Sequence, residues 1–219
     1  MALTALLPTP HDGRTDILIV GLAGGTVSNL ITRRLSPLLP DFPITGIELD
    51  PVVIEVADRF FGLDRSHLET IAADGRTWLR ASDRDFDLII LDAYRQPSIP
   101  DHLATVEYFE EVRAHLAPDG LAVLNVSGPS GRSRILDGIA ATWMAVFRDA
   151  QIIGGWPPTV SHRVFCSVAR PFPSTRGSSH PTRFLVPCGM AGYGSSGLRP
   201  FALRSTSLPG RTIALRWSC

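Results

Sequence analysis

The stretch Asp16-Ile17-Leu18-Ile19-Val20-Gly21-Leu22-Ala23-Gly24-Gly25 decides the fold class of this chain. A short apolar run that ends in a glycine cluster is typical of a strand buried on both faces of a parallel sheet. Apolar residues at helical spacing follow from Thr26 to Leu35, and Pro37 ends that helix. A strand, a glycine loop and a helix in this order let the backbone approach a ligand and point free N–H groups at it, although the glycines also fit a plain tight turn.

The same alternation of strand and helix continues along the chain. The sequence predicts strands at 16–20, 44–48, 68–72, 86–91 and 121–126, helices at 26–35, 51–61, 77–81, 105–116 and 133–147, and two weaker strands at 150–153 and 163–168. This alternation indicates an α/β fold with a doubly wound, mostly parallel sheet. Right-handed crossovers then bring the loops that follow the strands to one edge of the sheet, where ligands bind.

Composition limits the classes of partner. The chain has 219 residues, enough for one domain with a core, and no uninterrupted apolar segment of membrane-spanning length, so we expect no membrane partner. Residues 1–170 carry 15 arginines against 21 acidic residues, and a mildly acidic domain is poorly suited to nucleic acid. The three cysteines (Cys166, Cys188 and Cys219) are widely spaced and form no CxxC pair, which indicates no disulfide framework, no metal site and a reducing, cytoplasmic setting.

The two ends of the chain differ from its middle. From Pro171 onward about half of the residues are Pro, Gly, Ser or Thr, with six arginines and no acidic residue. This composition predicts that residues 171–219 are either a disordered extension or a frameshifted reading of GC-rich DNA. We therefore expect one domain at residues 16–170, preceded by an N-terminal remnant at residues 1–15.

Three carboxylates follow three successive predicted strands. Glu48 ends the second strand, where a carboxylate can accept both hydroxyls of a ribose. Asp74 follows the third strand, where it can accept a hydrogen bond from an adenine amino group or cap the next helix. Asp92 follows four apolar residues, so it must be paired or lie at the strand tip to avoid the cost of burying a charge. Together they favour a nucleoside ligand.

The chain resembles the spermidine synthase family, within the class I S-adenosylmethionine-dependent methyltransferase fold. The resemblance covers roughly residues 16–170 and is carried by Ile17–Gly25, Gly46–Pro51, Ile54–Ala57, Ala73–Gly75, Leu88–Asp92 and Leu103–Phe109. It implies that S-adenosylmethionine or its decarboxylated form binds as a substrate, with no metal, and that a small-molecule amine is the second substrate. It also implies a possible homodimer.

The resemblance assigns roles to individual residues. The cofactor-binding group would comprise Gly21, Ala23, Gly24 and Gly25 of the loop, Glu48 at the ribose, and Asp74 and Gly75 at the adenine amino group. Asp92 would be the catalytic base beside the reacting amine. The substrate loop would contain Tyr94, Arg95 and His102.

The chain departs from the family pattern at three places. Ala23 stands where the family usually has an Asp, and Arg95 stands where a second acid normally follows the first. Only 15 residues precede the first predicted strand, so we expect either a late start codon or a protein without the family's small N-terminal β domain. Three functions remain open: aminopropyl transfer, methyl transfer in the same crevice, and noncatalytic nucleoside binding by a degenerate protein.

Overall fold

The structure is a computed structural model that describes residues 13–94, 99–128, 134–147, 150–154 and 161–168. The predicted tail, residues 171–219, lies outside these residues, as do Arg95 and almost all of the predicted N-terminal remnant. The strands are β1 Ile17–Val20, β2 Ile44–Glu48, β3 Leu68–Ala72, β4 Phe86–Leu91, β5 Leu116–Gly128, β6 Gln151–Gly154 and β7 Ser161–Val168. The helices are α1 Thr26–Leu35, α2 Pro51–Phe60, α3 Gly75–Ala81, α4 Val106–Ala114 and α5 Arg134–Val146, with a 3-10 helix at Asp101–Leu103.

The described strands form one sheet in the order β3-β2-β1-β4-β5-β7-β6. The first five strands pair in parallel, and β7 runs antiparallel between β5 and β6. The strand order reverses at β1, which lies between β2 and β4 and therefore forms the topological switch point of the sheet. The predicted doubly wound, mostly parallel α/β fold is confirmed.

Both faces of the sheet are buried, and β1 shows this most clearly. Leu18 and Val20 belong to one hydrophobic cluster with Phe109 of α4 and Trp143 of α5. The remaining two residues of β1, Ile17 and Ile19, belong to a second cluster on the opposite face, together with residues of α1. Successive side chains of a strand point to opposite faces, so a strand with helices on both sides is apolar throughout.

Side chains that cap helices explain where α2 and α4 begin. Asp50 accepts a hydrogen bond from the backbone N–H of Val52 at 2.8 Å, and Pro51 occupies the first helical position of α2. Thr105 accepts from the backbone N–H of Tyr108 at 3.2 Å and caps α4 in the same way. These caps satisfy backbone N–H groups in the first turns of the two helices.

The start of β5 differs from its prediction. Residues 117–120 have the composition of a turn, but the strand already begins at Leu116, which pairs with Phe86 of β4. The next register pair joins Leu121 and Leu88, so residues 117–120 bulge out of the ladder. Asp119, within this bulge, has a φ of 61°, in the left-handed region. Helix α4 consequently ends at Ala114 rather than at the predicted residue 116.

Candidate functional site

The loops that follow β1, β2, β3 and β4 meet at one edge of the sheet. The parallel registers pair Val20 with Ile47 and with Leu91, and Glu48 with Ala72, so the four strands end at the same level. The three predicted carboxylates therefore lie along one edge, beside the glycine loop. This is the edge at which doubly wound sheets bind ligands.

Gly21 brings the first of these loops into contact with the fourth. Its φ is 94°, and a Cβ atom at this position would lie 2.6 Å from the backbone Cα and N atoms of Ala93. Its N–H donates to the carbonyl of Ile47 at 2.9 Å. Only a glycine fits here, because any side chain would collide with the backbone of the segment after β4.

Gly25 and Ala23 shape the rest of the glycine loop. Gly25 has a φ of 75° and caps α1, and a Cβ atom there would lie 2.1 Å from Cδ1 of Leu63. Ala23 also has a positive φ, 47°. Its N–H points at Glu48 and donates to Oε2 at 2.9 Å. The loop is therefore fastened to the carboxylate predicted to hold the ribose.

Glu48 retains acceptor capacity after these contacts. Oε2 accepts from Ala23, and Oε1 accepts from the backbone N–H of Asp50 at 3.3 Å. A carboxylate offers about four lone-pair sites, so about two remain for hydroxyl groups. The side chain is half-buried at the end of β2, which is suitable for a ribose diol.

Asp74 both caps α3 and contacts His102. Oδ1 accepts from the backbone N–H of Thr77 at 2.8 Å, so α3 begins two residues earlier than the sequence predicted. Oδ2 lies 2.9 Å from Nε2 of His102. Partial burial alone would raise the pKa of Asp74, but the hydrogen bonds from Thr77 and His102 hold that pKa below its usual value. Asp74 is therefore an ionised acceptor.

Gly75 lets α3 pack against β1. A Cβ atom at Gly75 would lie 2.4 Å from Cγ1 of Val20, so the residue after Asp74 must be small. Gly75 is predicted to lie beside the adenine amino group, and its contact with β1 is a packing role that the sequence did not reveal.

Asp92 is held by a residue that the sequence reading missed. Nδ2 of Asn125, on β5, donates to Oδ1 of Asp92 at 2.8 Å. The hydroxyl of Tyr94 donates to the backbone carbonyl of Asn125 at 2.9 Å. Burial raises the pKa of Asp92, and the hydrogen bond from Asn125 partly offsets that effect. A polar residue inside the apolar run 121–126 was the available signal for Asn125.

Arg76 is a second residue that the sequence reading missed. Its guanidinium donates to both carboxylate oxygens of Glu111, at 2.9 and 2.7 Å, and to the carbonyl oxygen of His102 at 2.9 Å. The bidentate pair joins α3 to α4, and the third bond holds the 3-10 helix. Arg76 therefore fixes the backbone from which His102 reaches Asp74.

A small apolar cavity lies beneath the segment that carries Asp92 and Tyr94. The hydroxyl of Tyr108, which is 1% exposed, finds no hydrogen-bond partner among the described residues. Burial, with the nearby negative charges of Asp74 and Glu111, raises the pKa of this phenol. The cavity is lined by Val20, Leu91, Ala93, Ile99, Leu103, Tyr108 and Leu124. The wall behind the site is thus almost entirely nonpolar.

The structure brings most of the predicted site residues to one edge. Gly21, Ala23 and Gly25 lie in the loop beside Glu48, whereas Gly24 lies beside Phe61, the residue after α2, and a Cβ atom there would lie 3.5 Å from the ring of Phe61. His102 bonds to Asp74 rather than joining the Asp92 network, and Arg95 lies outside the described residues. Within the parts of the chain that the structure describes, no cluster of three or more His, Cys, Asp or Glu side chains could hold a metal ion.

The chain is similar in sequence to a family model and to known proteins. The family model for the spermine/spermidine synthase domain matches residues 5–168. A probable polyamine aminopropyl transferase from Bifidobacterium longum is 31% identical over 157 residues, which are 71% of this chain and 34% of that protein. The chain thus spans about a third of the length of this relative.

Solved structures agree on the fold. A probable spermidine synthase from Corynebacterium glutamicum superposes with a TM-score of 0.64 at 24% identity, covering 78% of this chain and 62% of that one. Human Methyltransferase-like protein 13 in complex with SAH superposes with a TM-score of 0.63 at 22% identity, covering 81% and 82%. Because the family match extends from residue 5 through β7, this chain belongs to the spermine/spermidine synthase domain family.

Proposed function

We propose that the chain is a spermidine synthase-like transferase that moves an aminopropyl group from decarboxylated S-adenosylmethionine to a small-molecule amine. The observation that carries the proposal is the half-buried carboxylate of Asp92, fixed by Asn125 at the strand end next to the glycine loop. A carboxylate whose pKa is raised by burial is a suitable proton acceptor for an attacking amine. Family membership supports the reaction class.

The substrate adenosyl group fits the residues at the sheet edge. Glu48 keeps free acceptor positions for the ribose hydroxyls, and ionised Asp74 can accept from the adenine amino group. Human Methyltransferase-like protein 13 binds SAH on the same fold, which supports an adenosyl ligand here. The glycine loop would contact this ligand through its backbone, with Ala23 turned toward Glu48.

In the proposed reaction the neutral amine nitrogen attacks the carbon beside the sulfonium. The new C–N bond forms as the C–S bond breaks, and the electron pair of that bond neutralises the sulfur. The surplus proton on the nitrogen passes to the carboxylate of Asp92. The protein contributes in-line positioning and a proton acceptor of fixed orientation, and the substrate sulfonium supplies the leaving group.

Turnover of the Asp92→Asn variant tests this reaction. We expect kcat to fall by about 10²–10⁴-fold, because a positioned general base contributes that much, while the Kd of the adenosyl substrate stays within about threefold. Product formation is measured with decarboxylated S-adenosylmethionine and a series of diamines. The exposed Asp83→Asn variant is the matched control. Full activity in Asp92→Asn would remove Asp92 from the mechanism.

Methyl transfer is the second candidate, favoured by the likeness to human Methyltransferase-like protein 13. Calorimetric titration with S-adenosylmethionine and with its decarboxylated form separates the two candidates. Tighter binding of the decarboxylated form is the expected outcome, and a clear preference for the carboxylated form would overturn aminopropyl transfer. Binding of either form with no turnover of any amine would instead indicate a noncatalytic nucleoside-binding protein.

We further propose a cytoplasmic homodimer. The three widely spaced cysteines, with no CxxC pair, support a reducing compartment. None of the helices in the described ranges is long and apolar enough to cross a membrane. Cell fractionation tests the location, and light scattering on the purified full chain tests the dimer. A monomer at micromolar concentration would contradict the oligomeric proposal.

A further inference from the structure

The 3-10 helix holds His102 in a defined position above Asp74. The N–H of Leu103 donates to the carbonyl of Pro100 at 2.9 Å, and the buried Leu103 side chain anchors the helix in the core. Arg76 donates to the carbonyl of His102 at 2.9 Å. The imidazole therefore reaches Asp74 from a backbone that is fixed on both sides.

The two oxygens of Asp74 are both used by these contacts. Oδ1 accepts from Thr77 and Oδ2 accepts from His102, at 2.8 and 2.9 Å. An ionised carboxylate only accepts hydrogen bonds, so Nε2 of a neutral His102 carries the proton. These two donors fix the rotation of the carboxylate about its Cβ–Cγ bond. Lone pairs remain on both oxygens for a ligand.

We propose that His102 is a positioning residue that makes Asp74 selective for a 6-amino purine. This inference rests on the adenosyl site of the proposed function. His102 and Thr77 hold the Asp74 carboxylate in one orientation as an acceptor, which matches the amino group of adenine. The 6-oxo group of hypoxanthine is itself an acceptor. It would face the carboxylate with no hydrogen to donate, so hypoxanthine would bind more weakly than adenine.

Two nucleosides that differ at this group provide the probes. Calorimetric titration of the full chain with 5′-methylthioadenosine and with 5′-methylthioinosine gives a ratio of Kd values, the purine preference. In His102→Leu, which lacks a donor, we expect this ratio to fall by about tenfold, since a hydrogen bond to a charged group contributes at least that much. In His102→Gln, whose amide can still donate, we expect most of the preference to return.

Controls separate positioning from a structural effect. Asp101→Asn alters an exposed neighbour on the same 3-10 helix and should leave the ratio unchanged. Asp74→Asn replaces an acceptor by a group that also donates, so it should lose the preference, and adding His102→Leu to it should cause no further change. This second comparison remains informative if His102→Leu alone folds poorly.

Several outcomes would overturn the inference. They are an unchanged ratio in His102→Leu, tighter binding of 5′-methylthioadenosine by that variant, and additive effects of the two substitutions. Absence of binding of either nucleoside to the parent chain would overturn it as well. By contrast, a purine preference that depends on His102 in a chain without amine transfer would support the inference and remove only the proposed function.

Discussion

Asp92 shows how a residue can lower stability and at the same time have the properties that its proposed function needs. Its carboxylate is partly buried at the end of β4, and the hydrogen bond from Asn125 offsets only part of the cost of this burial. A carboxylate with a raised pKa favours its protonated form in the folded chain. The unfolded chain, whose Asp has a pKa of 3.8, loses its proton at lower pH.

The stability of Asp92→Asn should therefore depend on pH. Below the pKa of the unfolded chain, Asp92 of the parent is protonated in both the folded and the unfolded state. Folding then buries no charge at this position. As pH rises from there through the folded pKa, the parent loses stability. We expect Asp92→Asn to melt higher than the parent at about pH 7 and close to it at about pH 4.

Thermal melting at both pH values, with exposed Asp83→Asn as the control, measures this difference. The control should shift Tm by the same small amount at both values. A lower Tm for Asp92→Asn at neutral pH would mean that the carboxylate is stabilised by the fold.

At the scale of elements, Arg76 connects three pieces of structure. It joins α3, the 3-10 helix and α4 through Glu111 and the carbonyl of His102, and its side chain is only 14% exposed. Arg80 contacts the same carboxylate from a position that is 59% exposed. The two arginines therefore differ in burial and in number of hydrogen bonds.

Arg76→Lys should lower the free energy of unfolding by about 1–3 kcal/mol, because an ammonium cannot reproduce the bidentate pair and the third bond together. Arg80→Lys, the matched surface control, should change it by less than about 0.5 kcal/mol. Urea denaturation of both variants makes the comparison. Equal losses in the two variants would contradict a special role for Arg76.

The elements were predictable to different degrees. The bounds of β2, β3 and β4 agree with the prediction, and the clearest signal among them is the apolar run Leu88–Leu91 of β4. The start of β5 was not predictable, because Ala117–Gly120 has the composition of a turn whether it ends the ladder or bulges within it. The acids at the strand ends were predictable because each lies at, or just after, the end of a predicted strand.

Their partners were not visible. Asn125 lies 33 residues from Asp92, Arg76 lies 35 residues from Glu111, and His102 lies 28 residues from Asp74. No local spacing encodes such contacts, which depend on the order of strands in the sheet. Sequence patterns therefore located the sheet edge but not the long-range hydrogen bonds between the side chains that lie there.

At the scale of the whole molecule, one sheet separates two hydrophobic clusters. Phe109 lies at the centre of one cluster and packs edge-on against Trp143, with ring centroids 5.0 Å apart. Phe42 lies in the other cluster. Both side chains are fully buried, whereas Phe60 on α2 is 71% exposed. Since both clusters share the same strands, they should unfold together.

Phe109→Ala and Phe42→Ala should each lower the free energy of unfolding by about 3–5 kcal/mol, from opposite faces of the sheet. Each should shift a single transition, followed in parallel by circular dichroism and tryptophan fluorescence. The exposed Phe60→Ala variant should change stability by less than about 1 kcal/mol. Two separate transitions in either core variant would show that the faces unfold independently.

The contact between Gly21 and the backbone of Ala93 has a consequence for protein engineering. With no room for even a methyl group between them, the glycine loop and the segment that begins with Asp92 pack backbone against backbone. Libraries designed to change the proposed acceptor amine should therefore diversify residues beyond Tyr94 and leave the Asp92–Ala93 backbone untouched. On the proposed function, insertions placed earlier would displace the glycine loop as well, so a change in amine preference would be accompanied by weaker binding of the adenosyl substrate.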